Sequence, residues 1–421
     1  VPSRNSQAAL EPGATEQSPP QQADLAIIGA GILGLAVARE LILRRPERTV
    51  CVLEREREIA MHQTGHSSGV VHAGIYYLPG SLKARLCVEG SRELYEYCEV
   101  HGVAAERCGK LIIATDASEL GGLDELQRRG EANGVAGLRR IGAEEIGELE
   151  PHARGIAALH SPATGVADFP GLAQALAAEI VGAGSTVATG CGVHALAPAG
   201  RRLRVSHSRG VLEARNAIAC AGGWADRLAV AAGADRDPRI IPFRGAYLRL
   251  LPARRHLVRS LIYPVPDPSL PFLGVHLTRQ IDGEVLIGPT ALMAGARDAY
   301  RLGRVRRRDL VETLSWPGTW RLLSRSGPSA LTELRHAAMR SAFVGAAARY
   351  VPELQSADVI GAFAGVRAQA LGRDGRLLDD FAFSRTERAL HVRNAPSPAA
   401  TSALAIARHI ADQAEGAFGQ D

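Results

Sequence analysis

The chain has 421 residues, 46% of them hydrophobic and 22% charged, with a net charge of +5. That length exceeds one compact core, and the composition is that of a soluble globular protein, so a single small domain and a wholly disordered chain are excluded. The longest basic run, "RVRRRD" at 304–309, has no interleaved aromatic residues, so no nucleic-acid partner is expected; a solvated helix face, or attraction to an acidic ligand or membrane surface, fits it better.

Residues 1–23 are rich in Pro, Gln, Ser and Ala and read as a disordered tail. They contain neither a secretory apolar core nor a clear Arg-rich presequence. A start without Met is what removal of a targeting peptide, or a shortened chain, would leave. Structure is expected from Asp24. "DLAIIG" reads as a strand, "AGILGLAVARELIL" as a glycine turn running into a helix, and "TVCVLERE" as a second strand. This is the opening βαβ unit of a doubly wound sheet. The longest apolar run, Leu25–Ala38, has 14 residues, against the roughly 20 needed to span a bilayer, so any membrane association is expected to be peripheral.

"GAGILG" places glycines at 29, 31 and 34 in G-x-G-x-x-G spacing. Gly29 permits the tight turn, Gly31 lets a pyrophosphate approach the backbone, and Gly34 lets helix and strand pack closely. Glu54, 20 residues past Gly34 at the end of the next strand, is placed to bind a ribose diol. An acid there disfavours a 2′-phosphate and leaves FAD and NAD. No second such motif follows, and the chain departs into "HQTGHSSGVVHAGIYY", which favours a flavin reduced by the substrate itself.

A helix is predicted over Ser81–Glu99 with Ser81 as its N-cap. Strands are predicted at "GKLIIAT", "AYLRLL", "GVHLTR" and "EVLIG", and "NAIACAGGWADRLA" reads as strand, glycine turn and helix. "YPVPDPSLP" (263–271) reads as a rigid loop. The six cysteines (51, 87, 98, 108, 191, 220) show no C-x-x-C or zinc-like pairing, so they are read as reduced thiols and no metal is expected.

The segments "HQTGHSSGVVHAGIYYLPGSLKARLC", "LYEYC", "PFRG", "IYPVPDPSLPFLGVH", "GVRAQALGRDG" and "HVRNAPSPAATS", spread from about residue 24 to 412, resemble the FAD-dependent oxidoreductases of the D-amino-acid oxidase/glycine oxidase superfamily, and within it the L-2-hydroxyglutarate dehydrogenases. The resemblance implies an α/β fold: a Rossmann-type FAD-binding domain, in three parts at 24–104, 164–236 and 355–415, with an interleaved substrate domain at 105–163 and 237–354 on a mixed or antiparallel sheet.

It also implies site residues. Thr64, His66, Ser67 and Ser68 would lie beside the flavin's pyrophosphate and ring, with His72 toward the ring system. Val193, Ala221, Gly222, Gly365, Val366 and Ser397 would complete the cofactor contacts, and the small residues from Ala395 to Ser402 would set a helix N-terminus against the flavin. Arg367 would grip the substrate carboxylate, since a guanidinium fork pairs with it bidentately. Arg244 or Arg279 would meet the distal carboxylate, and Tyr263 would close the pocket. His276 is the first choice for the base that takes the hydroxyl proton, with His66 and His72 behind it.

The implied reaction is oxidation of L-2-hydroxyglutarate to 2-oxoglutarate by hydride transfer from the α-carbon to flavin N5, electrons passing to a quinone or an electron-transfer acceptor. A mitochondrial location follows from similarity to animal members; a bacterial member would be cytoplasmic or attached to the inner membrane. Two alternatives stay open: an FAD-dependent amine oxidase of the glycine or sarcosine type, and a flavin-binding scaffold without turnover.

Overall fold

The structure, a computed structural model, describes residues 17–267, 273–325, 333 and 335–418. Most of the expected tail, and residues 268–272 of the proline-rich loop, lie outside the described residues.

The first sheet is built on Gln22–Ile28, which pairs in parallel with Val50–Leu53 on one side and Gly210–Ala219 on the other. Thr186–Ala188 extends it beyond Val50–Leu53, and Ala389–Asn394 beyond Gly210–Ala219, both in parallel. Parallel strands are covered on both faces, which is why "VCVL" is apolar throughout. Ile27 and Val52 pack under Leu35, Leu172 and Ile406, from the helices Ile32–Arg44, Phe169–Gly182 and Ala403–Phe418. Cys51 and Leu53, one residue out of phase, face Leu196, Leu203 and Leu212.

The helix predicted from Ser81 spans Leu82–His101. Ser81 Oγ accepts from the Ala84 N–H at 3.2 Å, and Gly102 ends the helix in the left-handed region at φ 65°.

The second sheet runs, strand by strand, through Leu292–Met293, Arg239–Leu250, Val285–Gly288, His276–Arg279, Leu261–Pro264, Lys110–Ala114, Ala157–Ser161 and Arg139–Gly142. Its pairings are antiparallel except between Leu261–Pro264 and Lys110–Ala114. Strand alternation divides it into two faces. Leu111, Ile113, Ile262, Leu277 and Ile287 pack on Phe343, Val344 and Ala347 of the helix Arg340–Ala348. Ile112, Leu261 and Tyr263 look the other way, onto Val70, Ala73 and Ile75, so the segment that follows the glycine motif is laid across this second face.

One boundary differs from the sequence expectation. Val359–Leu371, expected within the nucleotide-binding part, pairs antiparallel along Arg239–Leu250 in the second sheet, from Arg239↔Leu371 to Leu250↔Val359. Its partner is more than 100 residues away, and nothing in a strand's own composition names its partner.

Candidate active site

A cavity of about 420 Å³ opens at the end of the first parallel strand and is lined by Gly29, Gly31, Gly34, Glu54, Thr64, Val193, Ala221 and Gly222. The three glycines differ in what they permit. Gly29 sits at φ 105°, and a side chain there would meet the Cys220 carbonyl oxygen at 2.5 Å. A Cβ on Gly34 would lie 1.9 Å from the Gly29 oxygen, so this position sets helix against strand. A Cβ on Gly31 would meet only Thr64 Oγ1, at 3.5 Å, so the space over Gly31 belongs to the cavity.

Thr64 Oγ1 accepts from the Ile32 N–H at 3.1 Å and so finishes the first turn of the helix Ile32–Arg44, whose N-terminus favours a phosphate. Glu54 is held at its strand end by the N–H groups of Ala30 (2.7 Å) and Glu56 (2.9 Å). Glycine turn, helix N-terminus and fixed carboxylate on one cavity wall fit FAD.

Ala395, Ala399 and Ala400 line the same cavity, whereas Ser397 is not among its lining residues. The helix expected from this region begins at Ala403, after a turn over 397–402. Thr401 Oγ1 accepts from the His72 N–H at 3.1 Å, tying that turn to the opening histidine stretch. His62, Trp224 and Tyr300 form a wall that the sequence reading did not single out. His66 stacks on Tyr300 at 3.9 Å, and Arg55 lies 3.6 Å from the Trp224 ring centroid. The His66 Nδ1–H donates to the His62 carbonyl at 3.1 Å, and burial lowers its pKa. A Cβ on Gly365 would lie 2.6 Å from the His66 oxygen, so that glycine permits a close backbone approach. Val366 borders a small pocket beside His62.

The second sheet supplies a side-chain cluster of different character. Lys110, Tyr263, His276 and Thr278 fall on one side by strand alternation, and all are buried. His276 stacks on Tyr263 with ring centroids 4.0 Å apart, and Lys110 Nζ lies 3.9 Å from the Tyr263 centroid and 4.9 Å from that of Tyr76. His276 Nδ1 meets the Gly274 carbonyl at 2.9 Å; a carbonyl only accepts, so Nδ1 carries the proton and Nε2 keeps its lone pair. Burial, aided by Lys110 and Arg367, pushes the His276 pKa down to about 3. His72 is likewise pushed well below the usual imidazole range, by burial first and then by Lys110, His276, Arg367 and Lys83. Arg367 enters from the strand Val359–Leu371, beside Tyr247 and Ser68.

Three buried polar atoms facing this cluster have no hydrogen-bond partner: His72 Nδ1, Tyr76 Oη and Thr278 Oγ1. Orphaned buried polar atoms are rare, and several in one place mark a ligand site. Among the described residues, no group of three or more His, Cys, Asp or Glu is arranged to hold a metal.

Two expected contributors lie elsewhere. Arg244 pairs in register with Val366, one residue out of phase with Arg367, so the two guanidiniums leave opposite faces of the strand pair. Arg279 is out of phase with His276 and forms an ion pair with Glu106 at 2.7 Å. Lys110, Tyr76 and Tyr247 were missed. The one available signal was a lysine opening the otherwise apolar run "KLIIA".

Residues 24–413 match the FAD dependent oxidoreductase family. The L-2-hydroxyglutarate dehydrogenase of Nematostella vectensis, named as mitochondrial, is 44% identical over 95% of this chain and 92% of its own length. That of the bacterium Indibacter alkaliphilus is 42% identical over 92% and 98%. Among solved structures, the FAD-bound L-alpha-glycerophosphate oxidase of Mycoplasma pneumoniae superposes with a TM-score of 0.75 at 22% identity, covering 94% of this chain and 95% of that one, which shows the shared fold. The glycine-lined groove and the basic side-chain cluster thus sit on a known framework: the chain belongs to the FAD dependent oxidoreductase family and, within it, to the L-2-hydroxyglutarate dehydrogenases.

Proposed function

We infer that this chain oxidises L-2-hydroxyglutarate to 2-oxoglutarate with FAD as its cofactor. The observation that carries the reading is the cluster of buried Lys110 and His276, half-buried His72 and exposed Arg367, whose charges bear on one another and which contains no carboxylate, as a dianionic substrate requires.

Bound FAD supplies the two-electron oxidant. The chain's residues hold the substrate and handle its proton. Arg367 is suited to fix the C1 carboxylate bidentately and so to orient the α-carbon. His276 Nε2 is the acceptor for the 2-hydroxyl proton, and its Nδ1–H···O=C bond to Gly274 holds the ring in that tautomer. Before substrate binds, this imidazole is a weak base, because burial and two cations oppose its protonation. An entering dianion offsets those cations and raises its basicity when the proton must move. Burial of Tyr263, His276 and Lys110 keeps water from competing.

In this reading the electrons leave to a quinone or an electron-transfer acceptor, and the mitochondrial location follows the animal relatives. No helix among the described residues is long and apolar enough to cross a membrane. Peripheral attachment is supported by exposed Leu302, Val305, Val311 and Trp320, which alternate with arginines over residues 301–325.

The test is anaerobic addition of L-2-hydroxyglutarate to the FAD-loaded protein, with the D-enantiomer, L-malate and sarcosine as controls. Loss of the oxidised-flavin absorbance with the L-acid alone is the expected result. Bleaching by sarcosine and not by the hydroxy acid would replace this reading with an amine oxidase.

A further inference from the structure

Of the 49 basic residues, only Lys83 and Lys110 are lysines. Both are buried, at 8% and 1% exposure, and both bear electrostatically on His72. Lys83 has an acidic partner, Asp379, at 2.8 Å. Lys110 has none: among the described residues its ammonium makes no hydrogen bond or ion pair and rests between the rings of Tyr76 and Tyr263. A buried ammonium without a counter-charge is costly, and aromatic faces offset only part of that cost. Such a group persists where a ligand supplies the missing charge.

Strand order says which charge. Counting across the second sheet, Arg367 stands beyond Arg239–Leu250, Lys110 stands on Lys110–Ala114, and His276 and Tyr263 occupy the strands between. Arg367 and Lys110 nevertheless both act on His72 and on His276, so their charges converge from the two sides of the candidate base. The unpartnered Tyr76 hydroxyl lies on the lysine's side.

We propose that Lys110 binds the distal carboxylate of the substrate, with the Tyr76 hydroxyl as a second donor, and so selects a dicarboxylate over a 2-hydroxy acid with one carboxylate. The assignment rests on the reaction proposed above. It places the second cation on the first strand of the substrate sheet rather than at Arg244 or Arg279. Lysine brings to this place a compact point charge with three donors, which suits a single carboxylate.

The test compares glutarate with butyrate as non-reacting ligands of the FAD-loaded protein, followed by perturbation of the flavin spectrum, in the wild type, Lys110→Met and Lys110→Gln. The wild type should prefer glutarate, and the preference should fall by about 100-fold in either variant, the range for removing one partner of a buried charge pair. In anaerobic reduction, the ratio of L-2-hydroxyglutarate to L-2-hydroxypentanoate efficiency should fall likewise, through Kd rather than the limiting rate. Equal losses with both acids, or a lower limiting rate at unchanged Kd, would assign Lys110 to proton transfer or folding and overturn the proposal. So would a wild type indifferent to the second carboxylate. If the wild type prefers glutarate yet no hydroxy acid reduces its flavin, the reaction assignment fails while the lysine's role stands. Lys110→Gln serves where Lys110→Met does not retain FAD.

Discussion

His276 lies flat on Tyr263, centroids 4.0 Å apart with 17° between the planes, while its Nδ1–H is fixed to the Gly274 carbonyl. Two restraints on one ring leave Nε2 a single direction. Removing the imidazole should therefore slow flavin reduction far more than loosening it. We expect His276→Ala to lower the anaerobic reduction rate by about 10²–10⁴-fold, and Tyr263→Leu by about tenfold, the loss from a misplaced group being the smaller. Stopped-flow absorbance with FAD content measured in parallel checks both. Wild-type rates in His276→Ala would reduce the histidine to a packing residue.

Lys110 is held near a pKa of about 7 by burial, with Cys87 and Cys108 acting weakly the other way. The group is charged below that value and neutral above it. If its charge binds substrate, kcat/KM for L-2-hydroxyglutarate should fall tenfold per pH unit above about pH 7, since this ratio reports the free protein. Of the neighbours, His276 and His72 are already neutral there, and Tyr76 and Tyr263 are pushed above 10 by burial, so none of these produces that limb. A flat profile from pH 6 to 9 would contradict the assignment.

The cofactor half of the site was legible because its chemistry is local. Gly29, Gly31, Gly34 and Glu54 lie within one βαβ unit, and the spacing that names them also folds them. The substrate half is assembled by pairing: Lys110 meets Tyr263 through Leu261↔Lys110, and Arg367 meets Tyr247 across Val359–Leu371 and Arg239–Leu250. Register decides such meetings, and one residue of phase carried Arg244 to the opposite face from Arg367. The same long-range pairing took Val359–Leu371 out of the sheet to which its position in the chain had assigned it.

The glycines make separable predictions. Gly34→Ala places a methyl 1.9 Å from the Gly29 oxygen and should disrupt the helix–strand contact, yielding little folded protein. Gly31→Ala meets only a hydroxyl at 3.5 Å and should fold, yet occupy the space a pyrophosphate needs. Its circular dichroism should match the wild type while FAD binding weakens by about tenfold or more, as loss of one close backbone–phosphate approach implies. Full FAD retention in Gly31→Ala would mean that the cofactor does not pass over this residue.

Asp226 and Arg297 form a buried pair at one end of the cofactor cavity. The carboxylate is fully buried, bound by Arg297 Nη1 and by Nη2 at 2.9 Å, and it accepts the Ile240 N–H at 3.2 Å. Arg297 also donates to the Gly223 carbonyl at 2.7 Å, in the turn whose neighbours Gly222 and Trp224 line the cavity. Burial alone would raise the Asp226 pKa; the hydrogen bonds and charge of Arg297 outweigh it and hold the carboxyl below its ordinary value. The pair therefore contributes stability at neutral pH that is lost as pH falls through that lowered pKa. Breaking it from one side leaves the buried Arg297 with Glu312, at 3.1 Å, as its remaining carboxylate, so Asp226→Leu should cost about 3 kcal/mol, the low end for an opened buried pair, and release FAD more readily. The double variant Asp226→Leu/Arg297→Met removes both charges and should recover part of that loss. Thermal unfolding of the wild type, Asp226→Leu, Arg297→Met and the double variant, with and without added FAD, reads out the cycle. Additive losses in the double variant would show that the two residues are not coupled.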